Sequence, residues 1–201
     1  MERQKIFSTN IFIKDEFLDP HRLPAMQEEI EKLYKQRTYN DNWQTSPDLD
    51  KEDPSGAFKW FAKDISKAAF NIFDTLDYNV DEIEITGMWA NYLYKGDAHP
   101  PHTHSNNFLS GVYYLEVEDG AAPIQFFDPR PQANVLRPRN KANWQNCSMI
   151  QFDAIKGVGY IFPSWLQHWV PPTKGERISI SWNIILRGEY GEPGTLQNAY
   201  I

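Results

Sequence analysis

Cysteine is almost absent. One residue, Cys147, in a chain of 201 rules out an internal disulfide. The fold must therefore stand on its core, and an oxidising compartment is not required. Long apolar runs are missing too. Nothing approaches the roughly 18 consecutive apolar residues of a spanning helix, and the first ten residues, MERQKIFSTN, lack the apolar stretch of a signal peptide. The expectation is a soluble cytoplasmic protein with no membrane partner. A basic excess is also lacking. The net charge is −7, which argues against broad nucleic-acid binding, since that needs a positive footprint. The cluster Arg130, Arg137, Arg139 and Lys141 reads as a solvated loop. Cys147 reads as a small buried hydrophobe rather than a nucleophile.

What is present points to a packed, strand-rich domain. Hydrophobic residues make up 41% and aromatics 14%, enough for a core that buries roughly 70% of the unfolded chain's surface. The aromatic content favours strands over a helical bundle. Residues 6–13 alternate loosely and predict a strand. From Pro20 to about Gln36 a helix is predicted, with Leu23, Met26, Ile30 and Leu33 at three- and four-residue steps. His21 belongs to the start of that helix. Residues 38–56 are rich in Asn, Asp, Ser and Pro and read as a long surface loop, a candidate lid. A second helix is predicted from Phe58 to about Leu76, with Phe58, Phe61, Ile65, Ala69, Ile72 and Phe73 on one face.

After Glu82 the pattern changes to short β-type runs: 82–94, 108–117, 124–127, 148–152, 157–162, 167–170 and 177–187. The tail after Gly188 reads as irregular. Strands following two helices predict a mainly β fold with some α, a jelly roll with the N-terminal helices packed on one outer face. No repeat or linker divides the chain. A single domain over 1–201 is expected, with the strand and helices in 1–80 and the jelly-roll core in 82–187.

Five histidines are present, and three of them fall between positions 99 and 104. His102 and His104 are two apart, so an extended backbone turns both imidazoles to one side. Pro100 and Pro101 hold the approach extended. His99, three before His102, would not share that face in a regular strand and reads as a supporting or surface residue. His168 follows a strand that ends at Pro163-Ser164. After the turn 171–176 comes strict alternation. Arg177, Ser179, Ser181 and Asn183 form one face, and Ile178, Ile180, Trp182 and Ile184 form the other. The flanking strands are so apolar that the polar face predicts a wet pocket. Arg177 there suits a carboxylate, because its planar fork pairs bidentately. Two histidines on one face, a distant third and a nearby Arg predict an open metal site beside an anionic co-substrate. Of Tyr113 and Tyr114, at most one can face that pocket. Trp165 and Trp169 are expected to pack in or over the barrel. Asp128-Pro129-Arg130 reads as a turn.

Two segments resemble a known family. One is H-x-H followed by LSGVYYL. The other is FPSWLQHWVPP followed by GERISISWN. Together they span about Trp89 to Asn183 and resemble the 2-oxoglutarate/Fe(II)-dependent dioxygenase superfamily, in particular a branch of uncharacterised oxygenases of marine bacteria and phages. The resemblance implies a double-stranded β-helix (a jelly-roll, cupin-like core), Fe(II), 2-oxoglutarate as co-substrate, and O₂. It implies hydroxylation of a small-molecule or side-chain substrate with release of succinate and CO₂. His102 matches the first iron ligand and His168 the distal one. His104 stands where the superfamily usually has Asp or Glu. Arg177 matches the residue that grips the distal carboxylate of 2-oxoglutarate, and Ser179 shares its face. Asn91, Tyr94 and Ser110 are further candidates for the co-substrate pocket. Asp97 is a weaker source of the missing carboxylate. The three-His set keeps two alternatives open. One is a cupin-like iron or zinc enzyme that does not use 2-oxoglutarate. The other is a non-catalytic jelly-roll assembly or binding module. A homodimer is the base-rate expectation.

Overall fold

The structure, a computed structural model, describes residues 2, 7–17, 19–36, 43–53, 56–130 and 141–201. Strands are β1 (Phe12–Lys14), β2 (Trp43–Gln44), β3 (Glu82–Leu93), β4 (His99–His102), β5 (Leu109–Val117), β6 (Ile124–Phe127) and β7 (Met149–Phe152). They continue as β8 (Gly159–Pro163), β9 (His168–Val170), β10 (Arg177–Arg187), β11 (Glu189–Tyr190) and β12 (Ala199–Tyr200). The helices are α1 (Leu23–Lys35), preceded by a short 3₁₀ turn, and α2 (Ala57–Thr75). One sheet runs β1-β8-β5-β10-β3-β2 and a second runs β4-β9-β6-β7. Their facing side chains form the inner core, where Val112 and Tyr114 of one sheet and Ile124 and Phe126 of the other share a cluster with Tyr160, Phe162 and Leu166.

The helices cover the outer face of the larger sheet. All six residues predicted for the α2 face are buried, as are Met26 and Ile30 of α1. They meet Met88, Ala90, Ile180, Trp182 and Ile184 of the sheet. The side-chain period of a strand explains the division of labour. In β10 the apolar residues go out to the helices, while Arg177, Ser179 and Ser181 turn inward. In β5 Tyr113 joins the outer core and Tyr114 the inner one. Asp53 supports the start of α2 by accepting the Phe58 N–H (2.7 Å), one of the donors a helix leaves unpaired at its N-terminus.

Gly111 in the LSGVYYL segment has a steric task. A Cβ there would overlap the Trp182 indole, which crosses β5 on the helix side. Gly111→Ala is expected to cost about 1–3 kcal/mol through overpacking, read as a lowered urea midpoint with unchanged slope.

Four expectations need correction. The N-terminal strand is shorter than 6–13: it covers Phe12–Lys14, and residues 7–11 are not strand, while residue 6 lies outside the described residues. The 38–56 segment is no free lid over its described residues. Residues 43–53 form a strap on the edge of β3, held by Thr45 N–H to Ala90 O (3.0 Å), Met88 N–H to Pro47 O (2.7 Å) and Leu49 N–H to Met88 O (3.1 Å), with Leu49 buried. Residues 38–42, 54 and 55 lie outside the described set. The tail is not wholly irregular, because β11 and β12 pair as a small ribbon. Trp165 stands 57% exposed rather than packed. In the basic cluster, Arg130 pairs with Asp128 (2.8 Å), and Arg137 and Arg139 lie outside the described residues.

Candidate metal centre

His102 and His168 arrive on neighbouring strands. β4 and β9 pair antiparallel, and the two histidines are direct cross-strand partners. His104 lies two residues beyond β4, where its backbone N–H binds the Ser164 carbonyl (2.9 Å) on the turn before β9. One nitrogen from each of the three imidazoles lies within 4.8 Å of the others. Ring centroids are 4.4 Å apart for His102–His168, 5.0 Å for His102–His104 and 5.2 Å for His104–His168.

The tautomers favour ligation. His102 Nδ1 lies 2.7 Å from Pro100 O, and His168 Nδ1 lies 2.9 Å from Leu166 O. A carbonyl can only accept, so each Nδ1 carries the proton and each Nε2 keeps its lone pair free. This is the outer support that metal-bound histidines ordinarily have. Phe162 and Phe126 pack on the His168 ring at 4.8 and 5.7 Å. Trp89 lies 6.0 Å from His104. The donor set of three imidazoles facing a cavity fits Fe(II).

Burial drives the imidazoles of His104 and His168 toward the neutral form that ligation requires. It lowers His104 to about 4, helped by the charge of His102. It lowers His168 to about 3, against the opposing bond to Leu166. His99 is lowered to about 4, first by burial and then by Arg177. The sign for stability follows. Unfolded imidazoles titrate near 6.5, so below about that pH the unfolded chain binds more protons than the folded one. The metal-free protein should therefore lose stability as pH falls from about 6.5 toward 4, and these groups add no slope above that window. Urea midpoints across the window should show a shallower decline in His104→Gln.

A cavity of about 230 Å³ opens beside the three histidines. Arg177, Ser179, Ser181, Asn91 and Tyr114 line it from the larger sheet, and His99 lines it from β4. Arg177 is 3% exposed. It donates to Ala122 O (3.1 Å) and to the Tyr114 hydroxyl (3.3 Å), and its guanidinium lies 5.1 Å from the Tyr114 ring. Its Nε is buried with no partner. Among the described residues Arg177 forms no ion pair, and no carboxylate lines the cavity. A buried cation without a counter-charge is costly, so the cavity is electrostatically prepared for an anion.

The predicted residues do not all meet here. Asn91 lines the cavity and donates to Ser181 Oγ (3.3 Å). Tyr94 does not line it. The turn after β3 carries Tyr94 to the α1 side, where it stacks on Tyr92 (4.6 Å) and bonds the Tyr34 hydroxyl (2.6 Å). Ser110 is also outside the lining. Its hydroxyl lies between Ser164 Oγ (2.8 Å) and Asn183 Oδ1 (2.7 Å), tying the turn before His168 to β10. Asp97 does not join the histidines, because its carboxylate closes the same turn by accepting the Tyr94 N–H (2.9 Å). His99, Gln44 and Trp89 line the cavity without having been singled out for it. Of these, His99 carried a signal as a member of the 99–104 histidine cluster, and Trp89 carried one in its place two residues before Asn91 in β3.

Comparison with known proteins agrees with this geometry. Residues 87–183 match the family described as "Putative 2OG-Fe(II) oxygenase". The fold is similar to that of a Pseudomonas putida prolyl-4-hydroxylase, with a TM-score of 0.65 at 14% identity over 90% of this chain and 95% of that one. It is similar to HygX from Streptomyces hygroscopicus with nickel and 2-oxoglutarate bound (TM-score 0.63, 12% identity, 88% of this chain and 82% of that one). A Trichoplax adhaerens prolyl hydroxylase in complex with a hypoxia inducible factor oxygen degradation domain peptide fragment also matches (TM-score 0.62, 12% identity, 89% of this chain and 84% of that one). At these identities the likeness establishes the double-stranded β-helix fold. No curated relative matches by sequence. Among the described residues no helix is long and apolar enough to cross a membrane.

Proposed function

We propose that this chain, whose residues 87–183 match the 2OG-Fe(II) oxygenase family, hydroxylates a C–H bond of its substrate, with His102, His104 and His168 holding Fe(II) and Arg177 holding 2-oxoglutarate. The observation that carries the reading is one cavity with three converging imidazoles and a buried Arg that forms no ion pair among the described residues. The bound pair would supply O₂ activation coupled to oxidative decarboxylation. That chemistry would place one oxygen atom in the substrate and one in succinate, with loss of CO₂.

The chain's own residues do the positioning. The Tyr114 hydroxyl and Ala122 carbonyl fix the guanidinium, so that its fork meets the distal carboxylate without reorganising. Ser179 and Asn91, cross-strand partners in β10 and β3, offer further hydrogen bonds along the same wall. Phe162, Ile124 and Val170 add apolar walls to the cavity, which strengthens each charged contact inside it. Trp89 and Gln44 line the same space. A cavity of about 230 Å³, shared with a co-substrate, admits a small group of a larger molecule. The substrate class this reading takes is a side chain or a small molecule that offers a C–H bond to the histidine side of the cavity.

The test is O₂-dependent succinate formation that needs both Fe(II) and 2-oxoglutarate. Metal-dependent chemistry that ignores 2-oxoglutarate would favour the three-His iron or zinc alternative, which the absence, among the described residues, of a carboxylate from the histidine cluster otherwise suits.

A further inference from the structure

His99 lines the cavity but is not among the three converging donors. A regular strand would turn it away from His102, but β4 is not regular. Its register with β9 shifts between His99 and His102, across Pro100 and Pro101. The irregularity is what lets residues three apart face one cavity, and both line it. His102 Nδ1 binds a carbonyl. The His99 side chain makes no hydrogen bond among the described residues, while its backbone pairs with Val170.

The approaches to β4 and β10 are tied together. Gly96 N–H binds Thr173 O and Thr173 N–H binds Asp97 O, each at 2.9 Å. The turn before His99 is thus fastened to the turn before Arg177, and His99 itself is the cross-strand partner of Val170. The His99 imidazole therefore belongs to the Arg177 end of the cavity.

We infer that His99 is a second gripping residue for the distal carboxylate of 2-oxoglutarate, donating a ring N–H beside the Arg177 guanidinium. The inference rests on the reading of this cavity as a 2-oxoglutarate site. Burial, and next the charge of Arg177, hold the imidazole below its usual range, so it stands neutral with one N–H to give and the other nitrogen unprotonated. Arg177 supplies charge and fork geometry, and His99 closes the other side of the anion. A neutral donor suits that place, because a second fixed cation would repel Arg177 whenever the site is empty.

The experiment is anaerobic titration of 2-oxoglutarate into Fe(II)-loaded wild type, His99→Phe, His99→Gln and Arg177→Lys, with Fe(II) affinity measured separately. His99→Phe should weaken 2-oxoglutarate binding about 10- to 100-fold, the range for a lost hydrogen bond to a charged group. Fe(II) affinity should hold. His99→Gln, which keeps a donor, should recover most of the loss. The losses of His99→Phe and Arg177→Lys should combine non-additively, since both act on one carboxylate. Unchanged 2-oxoglutarate affinity in His99→Phe, equal loss of Fe(II), or strictly additive losses would overturn the assignment. If wild type binds Fe(II) but not 2-oxoglutarate, the underlying reading fails and takes this one with it.

Discussion

His168→Ala should reduce Fe(II) affinity at least about 100-fold and abolish 2-oxoglutarate-dependent succinate formation. The scale follows from metal sites in which mutating a supporting residue alone costs about 10- to 100-fold; removing a ligand costs no less. His168 is well placed for the largest effect. It is 4% exposed, its Nδ1 is fixed by Leu166 O, and Phe162 and Phe126 pack on its ring. No other described His, Cys, Asp or Glu completes the cluster, so two imidazoles would remain. His102→Ala should behave alike. Thermal unfolding of the metal-free variants separates ligand loss from fold loss. A His168→Ala protein that is folded and still binds Fe(II) at wild-type affinity would remove His168 from the site.

Arg177→Ala should split the two binding events. Truncating one partner of a buried, hydrogen-bonded charge pair costs about 2–5 kcal/mol, so 2-oxoglutarate affinity should fall on the order of 10²- to 10³-fold. Fe(II) affinity should stay within about threefold, because Arg177 is not among the converging donors and any influence on them is purely electrostatic. Arg177→Lys should lie between, with the charge kept and the fork lost. Equal losses of metal and co-substrate would mean that Arg177 supports the fold around the site rather than binding 2-oxoglutarate.

Local periodicity made much of this fold legible. The α2 face was readable because six apolar residues recur at helical spacing, and all six are buried. Strict alternation in 177–187 gave the bounds of β10 and put Arg177 and Ser179 on the pocket side. H-x-H spacing gave two of the three converging histidines. What stayed hidden depends on pairing between distant segments. The strap 43–53 looks like a loop because its order comes from β3, some 45 residues on. His99 looks like a bystander because the shift in β4 register is set by β9. Tyr94 and Ser110 looked like pocket residues, but stronger partners were waiting elsewhere: a tyrosine stack for one, and Ser164 with Asn183 for the other.

The most direct test of the central claim is anaerobic reconstitution with Fe(II), followed by 2-oxoglutarate titration while watching for the weak visible charge-transfer band of the chelate. The account predicts a saturable band in wild type, its loss in His168→Ala, and saturation only at far higher 2-oxoglutarate in Arg177→Ala. Stoichiometric metal with no band at any 2-oxoglutarate concentration would contradict it.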